Sequence, residues 1–301
     1  MKIADQHLAR LIRDGYTLVE GFLSPTEVAA AKQNMLRYVP TPQELAAAPE
    51  RYPWIFEEAD RLQTEFPFVG DALNHVSTHP DLIDFVERAL NTREVMLSQS
   101  AIWAKYASTG DFEQALHLDY QGNTLVAPRE DGDYRQVNII LYYTDVAADM
   151  GPTCIVPLKE TRDEPLWPTF RPRNKYAALY KKEIPILASA GSLLIFSMST
   201  FHRASEMTAD AGVRLSHHMV WRSAAHAFQG FHQWSQMGEK PLLQRFIERA
   251  SPRQREVLGF PAPTSDYWNA KTVAAVAARY PKMDMTPYQS KNASRGKQRR
   301  K

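Results

Sequence analysis

The spacing of hydrophobic residues changes twice along the chain, and the two changes divide it into three regions. Apolar side chains recur with helical spacing over about residues 5–92 and again over about residues 223–285. Over about residues 94–222, apolar and polar positions alternate or form β-branched and aromatic runs such as Gln136–Tyr143, which is typical of strands. The pattern predicts a mainly β core with flanking helices, an α+β class. Because no repeat or linker separates two domains, we expect a single domain over residues 1–289.

Capping residues mark the predicted helix boundaries. Ser24 precedes Pro25 and Glu27, a combination that predicts a helix start with a capping box. A second amphipathic segment starts at Pro80 and stops before Asn91. Three further helices are expected near the C-terminus, over residues 241–250, from Ser251-Pro252 onward, and over residues 272–280.

The composition is that of a globular protein, with 44% hydrophobic and 23% charged residues in a chain of 301. The N-terminus lacks the apolar run of a secretory signal, and no stretch approaches the roughly 18 apolar residues of a membrane span. The single cysteine, Cys154, cannot form an internal disulfide and fits a reducing compartment. These features predict a cytoplasmic protein without a membrane partner.

The net charge of +2 is unevenly distributed. Residues 290–301 contain six basic side chains and no acidic one, and without them the chain has 30 basic and 34 acidic residues. We expect this tail to be disordered and solvated, although a basic tail can also bind nucleic acid or anionic surfaces. An acidic body disfavours nucleic acid as the partner, because such proteins need a broad basic face.

Two histidines and one aspartate have the spacing of a metal centre. His117 and Asp119 are two positions apart, so both point the same way if they lie on a strand, and His202 follows 85 residues after His117. Two imidazoles and one carboxylate form the facial triad of non-haem Fe(II) proteins, which leaves positions open for a chelating co-substrate and dioxygen. We therefore expect His117, Asp119 and His202 to be the metal ligands and the catalytic residues.

Arg214 and Ser216 extend this hypothesis to a co-substrate. They follow His202 on an alternating strand, where they share one face with His218 while His217 faces the other way. A guanidinium is planar and always charged, so Arg214 suits the far carboxylate of a 2-oxo acid, and Ser216 can donate a hydrogen bond to the same group. For His218, a hydrogen-bonded core position is the expectation, and a contact with the substrate or with a metal ligand is the alternative.

Each of these residues also has an ordinary structural interpretation. A single buried histidine is usually a hydrogen-bonded core residue, and an H-x-D motif occurs often by chance. The other histidines, including His75 and His79, lack ligand spacing and receive no role. The ordered combination of H-x-D, a distal histidine and R-x-S is what favours the metal centre.

Segments along most of the chain resemble, in order, the motifs of the phytanoyl-CoA dioxygenase family of Fe(II)/2-oxoglutarate-dependent oxygenases. They are similar to an entry strand with its helix start, the metal motif, a Gly-Pro turn with its strand, and the strand before the distal histidine. These segments are residues 15–25, 117–120, 150–157 and 190–196.

This resemblance implies a double-stranded β-helix, a jelly-roll or cupin-like barrel with flanking helices. It also implies iron on the predicted triad and 2-oxoglutarate on Arg214. Relatives often contact 2-oxoglutarate from the positions of Ser205 and Gln99, so both residues join the predicted cofactor-binding set.

The chain departs from the family pattern in two loops. Leu158-Lys159-Glu160 stands where relatives usually have Gly-Ser-His, and Ser205 lies three residues after His202 rather than two. These departures concern neighbouring loops and leave the triad unchanged.

The segment of residues 165–182 is basic and aromatic. It has five basic residues and no acidic one, with tryptophan, phenylalanine and tyrosine interleaved. One hypothesis is a lid on which Arg171, Arg173 and Lys175 contact an anionic substrate, since binding residues concentrate on loops held by a rigid scaffold. The alternative is a solvated surface loop.

Together these observations favour a dioxygenase that hydroxylates a small molecule and releases succinate and CO2 from 2-oxoglutarate. Two alternatives remain open: the same oxidative chemistry giving desaturation or ring formation, and a non-catalytic jelly roll that binds metal and ligand. Halogenases of this fold lack the carboxylate ligand, so Asp119 favours hydroxylation over chlorination.

Overall fold

The computed structural model describes residues 2–57, 63–109, 113–122, 136–225, 234 and 240–289. Internal contacts divide the chain into two compact units, residues 1–231 and 232–301. The single domain expected over residues 1–289 stays a prediction, and the basic tail lies outside the described residues.

The described part of the first unit contains nine strands in two sheets. They are β1 (Tyr16–Val19), β2 (Gln63–Glu65), β3 (Val95–Tyr106), β4 (Gln136–Tyr142), β5 (Thr153–Ile155), β6 (Ile184–Pro185), β7 (Leu193–Ser197), β8 (His202–Ala204) and β9 (Val213–Ser223). The larger sheet has the order β1-β7-β4-β9-β3-β2, and the smaller has the order β6-β5-β8. Every residue of β4 is buried, as its β-branched and aromatic sequence predicts for a central strand. This antiparallel, sheet-rich architecture confirms the predicted mainly β core.

The smaller sheet continues beyond β8 through two isolated bridges. His117 pairs with His202 of β8, and Leu116 pairs with Arg171. The residues around the H-x-D motif therefore lie between β8 and the basic segment, and that segment is attached to the edge of this sheet.

Helices surround the sheets of the first unit. Ser24 and Glu27 form the predicted capping box, with Ser24 N donating to Glu27 Oε2 at 2.8 Å, and Asn91 adopts the left-handed φ of 51° that ends the helix after Leu90. One helix lies inside the basic segment, where the sequence predicted a loop. The helices are α1 (Asp5–Asp14), α2 (Pro25–Met35), α3 (Pro42–Ala47), α4 (Trp54–Glu57), α5 (Ala72–Ser77), α6 (Pro80–Leu90) and α7 (Arg173–Tyr180).

The second unit contains four described helices: α8 (Pro241–Arg249), α9 (Pro252–Glu256), α10 (Ala270–Arg279) and α11 (Thr286–Gln289). Arg255 is buried in this unit. Its Nε donates to Ile247 O at 2.8 Å, and its guanidinium lies over the Tyr288 ring. The three predicted C-terminal helices are confirmed. No helix in the described parts of the chain combines the length and the apolar character that crossing a membrane requires.

The strand register decides which side chains face the space between the two sheets. Because directly opposed residues share a face, Arg214, Ser216 and His218 of β9 lie on the same face as Tyr142 of β4. Tyr142 packs in one buried cluster with Ile155 of the smaller sheet. This face of the larger sheet is therefore the interior one, as the alternation on β9 predicted.

The opposite face of β9 buries His217 in a hydrogen-bonded network. Its Nε2 lies 2.8 Å from Ser100 Oγ, its Nδ1 lies 2.9 Å from the Tyr143 hydroxyl, and Phe68 contacts the ring edge-on at 5.4 Å. Burial lowers the pKa of His217 to about 3. The folded protein thus holds this imidazole neutral.

This network predicts an acid-sensitive stability. The unfolded chain binds a proton on His217 below a pKa of about 6.5, whereas the folded chain excludes it down to about pH 3, so stability is lost as the pH falls through this window. Between pH 6.5 and 5, the wild type should lose about 1.6 kcal/mol more than a His217→Gln variant. Urea unfolding of both proteins at the two pH values measures the difference. Equal losses would show that another group controls the acid response.

Candidate metal centre

His117 and His202 face each other across neighbouring extended segments. Their backbones form both hydrogen bonds of an antiparallel pair, at 2.9 Å and 3.1 Å, and their ring centroids are 4.4 Å apart. Because directly opposed residues share a face, both imidazoles project to the same side of the smaller sheet. The structure thus brings together two residues that lie 85 positions apart in the sequence.

The hydrogen bonds of the two rings select the ligand atom. His117 Nδ1 lies 2.9 Å from Ala115 O, and His202 Nδ1 lies 3.1 Å from Thr200 O. A carbonyl oxygen only accepts, so in the neutral form of each imidazole Nδ1 carries the hydrogen and Nε2 keeps its lone pair. Backbone carbonyls that orient histidines in this way are common around metal centres.

Asp119 completes the cluster from the first residue of a 3-10 turn, Asp119–Gly122. The sequence predicted that His117 and Asp119 share a strand, but only His117 is in a β-bridge. The carboxylate nevertheless reaches both histidines, with Oδ1 3.4 Å from His117 Nε2 and Oδ2 3.4 Å from His202 Nε2. The ligand atoms of the three residues all lie within 4.8 Å of one another.

The electrostatics of the cluster keep the carboxylate ionised. Burial alone raises the pKa of Asp119, but the charges and hydrogen bonds of His202 and His117 outweigh it and hold this pKa well below its usual range. The pKa of His117 is also set by two opposing effects. Burial lowers this pKa, but the hydrogen bond and charge of the Asp119 carboxylate raise it by more, so the net effect is a raised pKa. An ionised carboxylate and two convergent imidazoles fit a divalent transition metal of borderline softness.

Two buried amides support Asp119 from β4, and the sequence analysis did not identify them. Asn138 Nδ2 donates to Asp119 Oδ2 at 2.8 Å, and Gln136 Nε2 donates to Asn138 Oδ1 at 2.7 Å. Both side chains are almost completely buried. The available signal was the presence of two amides, at i and i+2, in a strand that is otherwise apolar.

Arg214 lies buried on β9, and the described residues place no carboxylate within ion-pair distance of it. Its guanidinium donates to the carbonyl oxygen of Gly151, while its Nε has no hydrogen-bond partner. Burial lowers the pKa of Arg214, with the neighbouring Tyr142 acting in the opposite sense. Gly151 has a φ of 63°, and a Cβ there would lie 3.1 Å from Ser205 O, so a glycine suits this close approach.

The other predicted co-substrate residues lie at different distances from Arg214. Ser205 donates to Pro152 O at 2.7 Å, next to the carbonyl that Arg214 uses, and Ser216 Oγ lies 3.1 Å from His218 Nε2. Gln99 shares the interior face, but its register partner is Val220, six positions along β9 from Arg214. Ser205 and Ser216 are therefore close to Arg214, and Gln99 is not.

The basic segment lies against the metal motif. Leu118 N donates to Thr169 O at 3.2 Å, and Arg171 N donates to Leu116 O at 2.7 Å. Phe170 stacks on the His117 ring at 5.5 Å, with 51% of its surface still exposed, and Trp167 is 69% exposed. The segment thus places the half-exposed ring of Phe170 against His117 and carries a second exposed ring at Trp167.

The three basic residues proposed for substrate contact have different surroundings. Arg171 is fully buried, with its guanidinium hydrogen-bonded to Pro165 O and lying over the rings of Phe201 and Tyr176. Substrate contact by Arg171 would require this packing to open. Arg173 pairs with Glu113 at 2.6 Å, and Lys175 is exposed on α7. Substrate binding by these residues stays a prediction, and the burial of Arg171 disfavours that residue.

A second group of potential ligands lies on the surface, formed by Glu27, His75 and His79. Glu27 already accepts both the backbone and the hydroxyl hydrogen bonds of Ser24, and His79 Nδ1 accepts from Asp81 N. These atoms serve the ends of two helices, so a metal would compete with capping interactions. The sequence assigned no role to these histidines.

The chain belongs to the phytanoyl-CoA dioxygenase family, whose model matches residues 11–215. The matched region includes both histidines, the aspartate and Arg214. The recognition made from the sequence motifs is therefore confirmed.

Two mycobacterial relatives are themselves uncharacterised. The proteins Rv1501 of Mycobacterium tuberculosis and Mb1539 of Mycobacterium bovis are each 25% identical over 149 residues, which is 48% of this chain and 49% of the relative. The chain thus spans about half the length of the curated relatives that it matches.

Solved structures share the fold at low sequence identity. The carbocyclase SnoK from nogalamycin biosynthesis has a TM-score of 0.54 and 14% identity, over 76% of this chain and 87% of its own. HygX of Streptomyces hygroscopicus, with nickel, 2-oxoglutarate and hygromycin B bound, has a TM-score of 0.53 and 12% identity, over 74% and 88%. The epimerase SnoN, with Fe3+, α-ketoglutarate and nogalamycin RO bound, has a TM-score of 0.51 and 19% identity, over 79% and 90%. The jelly-roll core expected from the sequence is thus confirmed.

The support of Asp119 by Asn138 gives a testable prediction. Replacing Asn138 by Ala removes the donor to Asp119 Oδ2, and losses of such supporting contacts typically weaken metal binding by roughly 10- to 100-fold. Calorimetric titration of Ni(II) into the apoprotein measures the change. The exposed Asn174→Ala on α7 is the matched control and should leave the affinity unchanged. Equal affinities in the wild type and in Asn138→Ala would exclude this supporting role.

Proposed function

We propose that the protein is an Fe(II)/2-oxoglutarate-dependent dioxygenase that hydroxylates a small-molecule substrate. The observation that carries this proposal is the convergence of His117 Nε2, Asp119 and His202 Nε2 on one point, on the interior side that also carries Arg214. Membership of the phytanoyl-CoA dioxygenase family supports the same chemistry. The relatives SnoN and HygX, whose structures contain a metal with α-ketoglutarate or 2-oxoglutarate, support these cofactors.

In this proposal the chain supplies orientation and charge. His117, Asp119 and His202 would hold Fe(II) through three ligand atoms that backbone carbonyls and Asn138 already orient. Together with 2-oxoglutarate and dioxygen, the bound iron would supply the oxidising chemistry that breaks an unactivated C–H bond. The buried surroundings would limit access of water to the reacting atoms.

Arg214 would hold the distal carboxylate of 2-oxoglutarate. Leaving a buried guanidinium without a counter-ion is costly, and a dicarboxylate co-substrate would remove that cost by pairing with it. Ser205 and Ser216 would add hydroxyl donors to the same carboxylate; Ser205 now donates to Pro152 O, and Ser216 Oγ lies 3.1 Å from His218 Nε2. Gln99 stays the weaker member of this set, since its register position is remote from Arg214.

Hydroxylation is the proposed outcome among several that the same machinery could give. With Fe(II) bound, the carboxylate of Asp119 would take the coordination position that a halide needs, so chloride should not enter the product. Two structural relatives are an epimerase and a carbocyclase, which keeps other oxidative outcomes, including desaturation or ring formation, as the alternative. Product analysis in chloride buffer should therefore give an oxygenated and not a chlorinated compound.

The metal assignment is tested by removing one ligand. His202→Ala leaves two ligand side chains, so Ni(II) affinity and Fe(II)-dependent succinate formation from 2-oxoglutarate should both fall by more than about 10-fold. Thr200 supports the same turn without offering an imidazole, and Thr200→Val is the comparison for damage to the fold. Turnover that survives His202→Ala would mean that the distal ligand is another residue.

The co-substrate assignment is tested at Arg214. A charge-assisted hydrogen bond to a buried group contributes about 1.5–3 kcal/mol, so Arg214→Ala should weaken 2-oxoglutarate binding roughly 10- to 100-fold. Ni(II) affinity should change little, because none of the metal ligands contacts this guanidinium in the described residues. Calorimetric titrations of both ligands separate the two effects. Equal losses of metal and 2-oxoglutarate affinity would indicate a structural role.

A binding protein without turnover is the second candidate, because a jelly roll can hold metal and ligand without reacting. Succinate formed by the Fe(II)-loaded wild type in the absence of any added substrate distinguishes the two. Tight binding of Ni(II) and 2-oxoglutarate without any succinate would favour the binding protein.

A further inference from the structure

Arg222 is a second interior cation that the proposed reaction does not use. It lies on β9, eight residues after Arg214, and its register partner on β4 is Gln136. Since Gln136 belongs to the amide chain that ends on Asp119, the same sheet face carries both Arg222 and the support of the metal ligand. On β9, Val220 is the register partner of Asn138. Arg214 precedes Val220 and Arg222 follows it, so the two arginines lie on opposite sides of the Asn138 position.

The guanidinium of Arg222 has no counter-ion in the part of the chain that the structure describes. In the described residues its hydrogen bond is to the neighbouring carbonyl of Ser223, at 3.3 Å, and its buried Nε has no partner. No carboxylate of the described chain lies within 4.0 Å of it, and burial lowers its pKa without any charged group raising it. A partly buried, unpaired arginine is costly unless a ligand pairs with it.

Gln136 presents an acceptor beside this cation. Asn138 Nδ2 donates to Asp119 Oδ2, so the carbonyl oxygen of Asn138 is directed to Gln136. Gln136 must in turn direct its NH2 to Asn138, which leaves Gln136 Oε1 as the outer end of the chain. This buried oxygen has no hydrogen-bond partner. An unpaired cation and an unpaired acceptor therefore occupy adjacent register positions.

We infer that Arg222 and Gln136 form the polar end of the substrate pocket and bind a small carboxylic acid with an adjacent N–H or O–H donor. The carboxylate would pair with Arg222, and the donor would reach Gln136 Oε1; amino acids and hydroxy acids have this chemistry. The inference rests on the proposed dioxygenase function. Under this inference, Arg222 binds the anionic group of the substrate, and the fully buried Arg171 does not.

The separation from the metal centre limits which carbon could react. Gln136 Oε1 is two amide groups and two hydrogen bonds away from Asp119, a path on the order of 10 Å. A substrate held at this end would thus present to the metal a carbon several bonds away from its carboxylate.

The experiment compares acids with their uncharged counterparts. The probes are the common L-amino acids and 2-hydroxy acids of three to six carbons, each paired with its carboxamide. Binding is followed as the shift in Tm of the full chain loaded with Ni(II) and 2-oxoglutarate, and succinate formation is followed with Fe(II). At least one acid should raise both readouts, and its carboxamide should act at least about 10-fold more weakly.

Variants then test the residue itself. Arg222→Gln should weaken that acid roughly 10- to 100-fold, and Arg222→Lys, which keeps the charge but not the planar fork, should recover part of the loss. The exposed Arg37→Gln is the matched control and should behave as the wild type. The Kd for 2-oxoglutarate is measured for each variant, and if Arg222→Gln loses both ligands through misfolding, Arg222→Lys decides the question.

Three outcomes would overturn the inference: an inert panel on a protein with normal 2-oxoglutarate turnover, equal action of an acid and its carboxamide, or an unchanged affinity in both Arg222 variants. Failure of the proposed function would look different. In that case the wild type would bind neither Ni(II) nor 2-oxoglutarate before any acid is added.

Discussion

The centre depends on one antiparallel backbone pair, in which His117 and His202 exchange both of their main-chain hydrogen bonds. This pairing sets the distance between the two imidazoles, and the carbonyls of Ala115 and Thr200 then fix the rotation of each ring. Because these restraints come from main-chain atoms, the two nitrogen ligands are oriented before any metal arrives. Asp119 approaches from a 3-10 turn, and the side-chain amide of Asn138 donates to its carboxylate.

The larger sheet arranges the polar residues of the interior in a line. Strand alternation brings Arg214, Ser216 and His218 to one face of β9. His217, which lies between Ser216 and His218 in the sequence, points to the opposite face and belongs to a separate buried network. The same strand therefore carries the proposed co-substrate residues on one side and a buried hydrogen-bond network on the other. Its neighbour β4 adds Asn138 and Gln136 to the interior face, so the strand register places the support of Asp119 on the same face as Arg214 and Arg222.

The sequence predicted the features that local periodicity or residue spacing encodes. The β core, the helix that Ser24 caps, the end of a helix at Asn91 and the shared face of Arg214 and Ser216 all follow from short-range rules. Residues that act through tertiary contacts could not be found in this way. Asn138 looks like an unfavourable polar residue in a buried strand until Asp119 is placed beside it, and Arg171 looks like a surface cation until the rings of Phe201 and Tyr176 enclose it. The turn at Asp119 was also missed, because a single H-x-D spacing fits both a strand and a turn.

The basic segment, residues 165–182, is attached to the H-x-D motif by hydrogen bonds between main-chain atoms, from Leu118 N to Thr169 O and from Arg171 N to Leu116 O. Such attachments do not depend on the identity of the side chains that project outward. Trp167 is 69% exposed, so exchanging it would cost the fold little while changing the surface that an incoming molecule meets. The architecture therefore separates two evolutionary constraints: the ligands of the centre must be retained, whereas the outward residues of the segment are free to diversify. A change of substrate preference could in this way arise by single substitutions, without an intermediate that has lost its metal.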